Sequence, residues 1–102
     1  MKDGIHVMHL FYRLDRITWD ELSPEESAAT RGKLEALCGA NSNASHPQIR
    51  SYANVGGKAD LVFWLFHEDL AGLAQLHRDL EACFPAGTID TVYSYLSVTE
   101  LT

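Results

Sequence analysis

Two stretches of the chain are apolar on both faces of a strand. In Leu61-Val62-Phe63-Trp64-Leu65-Phe66, successive side chains leave opposite faces, so Val62, Trp64 and Phe66 share one side and Leu61, Phe63 and Leu65 the other. Ile5 to Leu14 repeats the pattern, with Ile5, Val7 and Phe11 opposed to Met8, Leu10, Tyr12 and Leu14. Neither face of either strand suits water. Pro47 to Val55 differs: Ile49, Ser51, Ala53 and Val55 oppose Arg50, Tyr52 and Asn54, which predicts a strand wet on one side, at a sheet edge. Gly56-Gly57 joins it to the apolar strand as a tight hairpin. A last strand, Thr88 to Leu101, places Val92, Leu96 and Val98 on one face and Ile89, Tyr93 and Tyr95 on the other.

Between the strands the period changes. Ser23-Pro24-Glu25-Glu26 reads as a helix start: Ser23 can cap, Pro24 suits the first helical position and Glu26 completes a capping box. That helix carries Thr30, Leu34, Leu37 and Cys38 at helical spacing and is expected to stop at Gly39, before a polar loop from Ala40 to His46. Asp69 can cap a second helix with a buried stripe of Leu70, Leu73, Leu76, His77, Leu80, Cys83 and Phe84, ended by Pro85 and Gly87. The order is strand, helix, strand, strand, helix, strand. With one hairpin and two crossovers, it predicts an α+β, ferredoxin-like βαββαβ domain over residues 1–102, both helices on one face of a four-stranded antiparallel sheet. The other face is left bare and apolar, larger than a soluble monomer normally exposes. Its simplest cover is a second copy packed sheet to sheet, a dimeric α/β barrel or a higher oligomer built on it.

Composition narrows the function classes. At 102 residues the chain holds one modest core and no separate cofactor domain. The net charge of −6 leaves no basic stripe to track a phosphate backbone, so nucleic acid is not an expected partner. No apolar run approaches a membrane span, and the N-terminal residues lack the apolar core of a signal peptide, so the expected compartment is the cytoplasm. There, Cys38 and Cys83 are expected as reduced core residues rather than a disulfide. Asn43-Ala44-Ser45 matches a glycosylation pattern that has no meaning without secretion.

The candidate chemistry is thin. Of the histidines, His77 lies on the apolar helical stripe, where a hydrogen-bonded core imidazole competes with a metal ligand. His6 and His9 point to opposite faces of the first strand, so one of them reaches the bare face and could meet a ligand in a dimer cleft. His46, in a loop, and His67, at a strand end, read as solvated. Cys38 could supply a thiolate ligand, against the plainer expectation of a buried thiol. Arg13 with Asp15, and Lys58 with Asp60, read as turn and edge ion pairs. Trp64, Tyr12, Tyr93 and Tyr95 read as core or interface aromatics. No phosphate loop, nucleophile elbow or zinc-type spacing occurs.

Three segments carry a family resemblance. His9-Leu10-Phe11-Tyr12-Arg13-Leu14-Asp15 followed by Trp19, then Gly57-Lys58-Ala59-Asp60-Leu61, then Tyr93-Ser94-Tyr95-Leu96-Ser97-Val98-Thr99-Glu100, resemble the first half of the chlorite dismutase and coproheme decarboxylase family. The resemblance implies two ferredoxin-like halves packed back to back, and rings of such bodies. It implies haem or iron coproporphyrin as cofactor, bound by the second half, which supplies the proximal histidine, the distal polar residue and the reactive tyrosine. Thr102 falls about where the link to that half would begin, so no family catalytic residue transfers to this chain. Cys38 sits near the level at which the second half places its haem histidine.

Three functions are therefore expected, in this order. The first is a chlorite dismutase-like half-domain acting as a structural and oligomerisation unit, with itself or with a separately encoded haem-binding half. The second is a stand-alone haem or porphyrin oxidoreductase or decarboxylase working as a homodimer. The third is a cofactor-free dimeric α/β-barrel monooxygenase. Whether the protein is an enzyme is left open, and for cofactor binding only His9, His77 and Cys38 stand out.

Overall fold

The computed structural model describes residues 4–41, 48–53 and 60–100. Its elements are β1 (Gly4–Leu14), α1 (Arg16–Asp20), α2 (Pro24–Ala40), β2 (Gln48–Ala53), β3 (Leu61–His67), α3 (Leu70–Glu81) and β4 (Ile89–Glu100). The strands form one antiparallel sheet in the order β2-β3-β1-β4. The two strands that are apolar on both faces thus take the centre, and the edges fall to β2 and β4. This is the expected ferredoxin-like architecture, with α1 added. The hairpin turn at Gly56-Gly57, Lys58, His46 and the Asn43-Ala44-Ser45 pattern lie outside the described residues.

One face of the sheet carries the core. Leu10 and Tyr12 of β1, Phe63 and Leu65 of β3 and Ile49 of β2 are buried against Leu73, Leu76 and Leu80 of α3, with Cys83 and Phe84 just beyond that helix. Each such side chain contributes about 1.5–3 kcal/mol by leaving water. Helix α2 is held more loosely: it buries Thr30, while Leu34, Leu37 and Cys38 are half-buried against the core.

The helix ends follow local chemistry. At α2 the Ser23 hydroxyl accepts from the Glu26 N–H (3.1 Å) and the Glu26 carboxylate accepts from the Ser23 N–H (2.8 Å), the expected capping box. Gly39 does not end this helix. The chain continues helical through Ala40 to Asn41, whose N–H donates to the Cys38 carbonyl and whose side-chain amide donates to that of Leu37, so no left-handed residue is needed. Helix α1 was not expected, because five residues including Ile17 and Thr18 give no helical period; it forms where Asp15 accepts from the Thr18 N–H at 3.1 Å. Asp15 thus serves as the cap of this helix. Asp60 likewise works through backbone: its carboxylate accepts from the Leu14 N–H (2.9 Å) and its N–H donates to the Tyr12 carbonyl (2.7 Å), with Arg16 4.0 Å away at the surface.

Three placements depart from strict periodicity. Leu70, at the first position of α3, is 52% exposed, because the stripe reaches the core only from Leu73 onward. His77 stands on the flank of the helix, where Nε2 lies 3.2 Å from Glu81, rather than in the core. Along β4 the pairing slips: Phe11 faces Tyr93 but Tyr12 faces Thr91, leaving Val92 as the extra residue of a β-bulge. Ile89 therefore packs with the helices, opposite Leu14, and not on the face of Tyr93 and Tyr95. The turn into β4 needs Gly87, whose φ of +83° suits glycine alone, and it buries Thr88, whose hydroxyl donates to the Pro85 carbonyl (2.7 Å) and whose own carbonyl accepts from the Asp15 N–H (2.8 Å).

His67 is not simply solvated. Its ring stands against Gly72, where an added Cβ would collide with it, and Nδ1 accepts from the Asp69 N–H at 3.0 Å. Gly72→Ala should therefore destabilise the domain by about 1 kcal/mol despite the better helix propensity of alanine. In a His67→Ala background the same change should stabilise it by up to about 1 kcal/mol. Urea unfolding of the four proteins checks the reversal of sign.

Candidate functional site

The pleat places the other halves of β1 and β3 on a face that no described helix covers. Reading the register across the sheet gives rows of neighbours: Arg50, Trp64, His9 and Tyr95 in one; Val62, Phe11 and Tyr93 in the next; Phe66, Val7 and Ser97 on the other side. Ile5, Val7 and Val62 are buried at 2, 3 and 7% exposure although they face away from the helices, because bulkier side chains stand in the adjoining rows. The rings form a continuous layer. Phe11 stacks on Tyr93 (centroids 4.4 Å), Tyr93 and Tyr95 are 6.2 Å apart, and Trp64 approaches Phe66 at 6.4 Å. The Arg50 guanidinium lies 5.4 Å over the Phe66 ring at the β2 margin.

His9 is the polar centre of this layer. Its ring stacks on Tyr95 (4.3 Å, 13°) and meets Trp64 edge to face (4.6 Å, 72°). Nε2 lies 3.0 Å from the Ser97 hydroxyl, whereas Nδ1 is buried with no hydrogen-bond partner. Desolvation lowers the imidazole pKa from its ordinary value of 6.5. The neutral ring is thus the one this site accommodates: a second N–H at Nδ1 would find no acceptor. Of the first-strand histidines, His9 is the one on the bare face; His6 pairs with His67 and Val98 on the helix side.

The other candidates do not gather around it. His77 belongs to a chain of contacts on the opposite side: the buried Tyr12 hydroxyl donates to Glu81 Oε2 (2.8 Å), the same oxygen that lies 3.2 Å from His77 Nε2. Burial and the Glu81 carboxylate together push the Tyr12 phenol well above its usual range. This network borders a cavity of about 360 Å³ lined also by Phe84, Gly87, Asp90 and Thr91. Sequence reasoning missed it; the only trace was the four-residue spacing of His77 and Glu81, since nothing local brings Tyr12 to them. Cys38 and Cys83 are free thiols, half-buried and buried, and desolvation raises the pKa of both. Among the described residues, no group of three or more His, Cys, Asp or Glu side chains is placed to hold a metal ion, and no helix is long and apolar enough to cross a membrane.

The chain is thus a ferredoxin-like α+β domain with an open aromatic sheet face, and known proteins share this fold. The chlorite dismutase family model matches residues 27–102, and the chain belongs to that family. It is similar to a heme-binding protein from Thermus thermophilus, with a TM-score of 0.83 and 30% identity over 97% of this chain and 41% of that one. It also superposes on two variants of the chlorite dismutase from Candidatus Nitrospira defluvii, with TM-scores of 0.77 and 0.76, each at 14% identity. Those matches span all of this chain and 42 and 43% of theirs, and they bear on the fold alone. The chain thus spans about two-fifths of the length of these solved relatives.

Because folding holds the pKa of His9 below that of the unfolded chain, the unfolded state takes up more protons as pH falls. The contribution of His9 is fully present above about pH 6.5 and declines below it. His9→Phe should flatten this part of the pH dependence, so that the wild type loses more stability than the variant between neutral and mildly acidic pH; urea midpoints across that range check it.

Proposed function

We propose that this domain is the body-forming half of a chlorite dismutase-like assembly, its aromatic face packed against the open face of a second ferredoxin-like unit. That unit is another copy of this domain or a haem-binding half. The observation that carries this reading is the row Trp64, His9 and Tyr95: aromatic side chains around a buried imidazole, on a side of the sheet that no described element covers. Tyr93 and Tyr95 remain 52 and 49% exposed, and tyrosine and tryptophan are the residues that dominate interface cores. The length ratio to the solved relatives supports a unit that works as part of a larger body.

Haem enters through the family and through the heme-binding neighbour. The three candidates His9, His77 and Cys38 do not fit an axial ligand. His9 has Nε2 beside Ser97 and Nδ1 buried, His77 is engaged by Glu81 on the flank of α3, and the half-buried Cys38 thiol is held towards its protonated form. In this reading iron chemistry belongs to the partner unit, and the present domain supplies the wall against which that unit is built. No proton transfer or ligand exchange is assigned to this chain.

Trp64→Lys and Tyr95→Lys put a charge into the centre of the proposed contact without touching the helix-side core, and each should lower the particle mass in sedimentation velocity while leaving the circular dichroism unchanged. Phe63→Lys would not test the contact, since Phe63 is buried against the helices. Hemin added to the protein alone should give no saturable shift of the Soret band. Wild-type mass in both variants would overturn the face-to-face contact, and a saturable Soret shift lost in His9→Phe would replace this reading by a homodimeric haem protein.

A further inference from the structure

His9 stands where a charge has no outlet once the open face is covered. The neutral ring needs little there: a contact from Nε2 to the Ser97 hydroxyl, and packing on Tyr95 and Trp64. A protonated ring carries an N–H on both nitrogens, and Nδ1 is buried without a partner. β1 lies between β3 and β4, so a charged ring gains water only by tilting out through the open side. The uncovered domain leaves that route free. A second sheet laid over the face closes it.

No counter-charge takes the place of water. Along its own strand His9 has Val7 and Phe11 on the same side; across the pairing it meets Trp64 on β3, and Tyr95 and Ser97 on β4. The ionisable groups on that side, among the described side chains, are Arg50 at the end of the same row, the phenols of Tyr93 and Tyr95, and Arg13 opposite Asp90 two rows away. The charge in the row of His9 is therefore a cation, and the one carboxylate is already opposite an arginine.

We infer that the contact over the open face is gated by a proton: two copies of this chain associate through it while His9 is neutral and separate as both imidazoles become charged. The inference rests on the reading of that face as an interface. Charge favours a second copy as the occupant, because a chain of net charge −6 repels itself over most of its surface, whereas the rows through His9 and Phe11 present no carboxylate. A second copy adds the same groups again, and so brings no acid to the imidazole beyond an Asp90 that already faces Arg13. The sign is diagnostic. Acidification reduces the net negative charge, which by itself strengthens self-association, while the gate weakens it. Desolvation already holds His9 below its ordinary value of 6.5 in the uncovered domain, and covering lowers it further. The contact is thus intact above about pH 6.5 and is lost as the pH falls through the value of the uncovered domain.

The test is sedimentation of the full chain over a concentration series between about pH 7.5 and about pH 5.5, above the range in which carboxylates titrate. The wild-type dissociation constant should rise at the acid end by up to about a hundredfold per pH unit, about tenfold for each of the two imidazoles, with circular dichroism unchanged. In His9→Phe and His9→Gln, which cannot titrate there, it should stay level or fall. Dilution calorimetry of the wild type in buffers of different ionisation enthalpy reads the same step without a variant, and should show about one proton taken up per chain on separation. A wild type that is a monomer at neutral pH, or a Trp64→Lys protein of wild-type mass, overturns the gate together with the self-contact it rests on. If Trp64→Lys separates the copies but the wild-type dissociation constant does not rise on acidification, or rises equally in both His9 variants, or no proton is taken up on separation, the gate alone is overturned and the interface stands.

Discussion

The structure depends on one constraint: the two central strands are apolar on both faces, and the helices of one domain can cover only one of them. β1 and β3 pair along seven residues, from His6 opposite His67 to Tyr12 opposite Leu61. That pairing fixes which side chains meet α3 and which stand on the open side. A slip of one residue would exchange Leu10 and Phe63 for His9, Phe11 and Trp64 in the core. The core volume around α3 fits the first set, and the aromatic layer uses the second. Burial on one side thus dictates the composition of the other.

On the open side the domain has gone part of the way towards an interior without closing one. Ile5, Val7 and Val62 are as buried there as helix-side residues, while the rings around them keep their outer surfaces in water. The buried imidazole is the costly member, since desolvation acts on it before any partner arrives. A polar group held this way favours one protonation state and one ring orientation, and it helps specify how the rings stack rather than adding to their strength.

Much of this was legible in the sequence because it rests on period alone. Alternation in Ile5–Leu14 and Leu61–Phe66 was enough to show that both strands are apolar on both faces and which side chains share a side, but which side meets the helices, Phe63 inward and Trp64 outward, came only from the packing. The capping box at Ser23 was legible because four adjacent residues contain all of its parts. What the sequence hid depends on contacts made at a distance. Helix α1 needs Asp15 positioned by the Thr88 carbonyl, seventy-three residues away in the chain. The Tyr12–Glu81–His77 chain joins the first strand to the end of α3, and its position pulls His77 off the stripe that helical spacing assigned to it. The carbonyls of Leu37 and Cys38 are satisfied by Asn41 rather than by a glycine turn, a choice that a nearby Gly39 disguises.

The bulge at Val92 divides β4 into two registers. Before it, Ile89 anchors the strand to the helix-side core; after it, Tyr93 and Tyr95 face outward in line with Phe11 and His9. An uninterrupted strand could satisfy one of these demands but not both, because residues 89, 93 and 95 share a parity. Val92 is therefore the residue that lets a single strand serve two masters, and in any shorter relative of this domain its loss would force a choice between a closed core and an aromatic face.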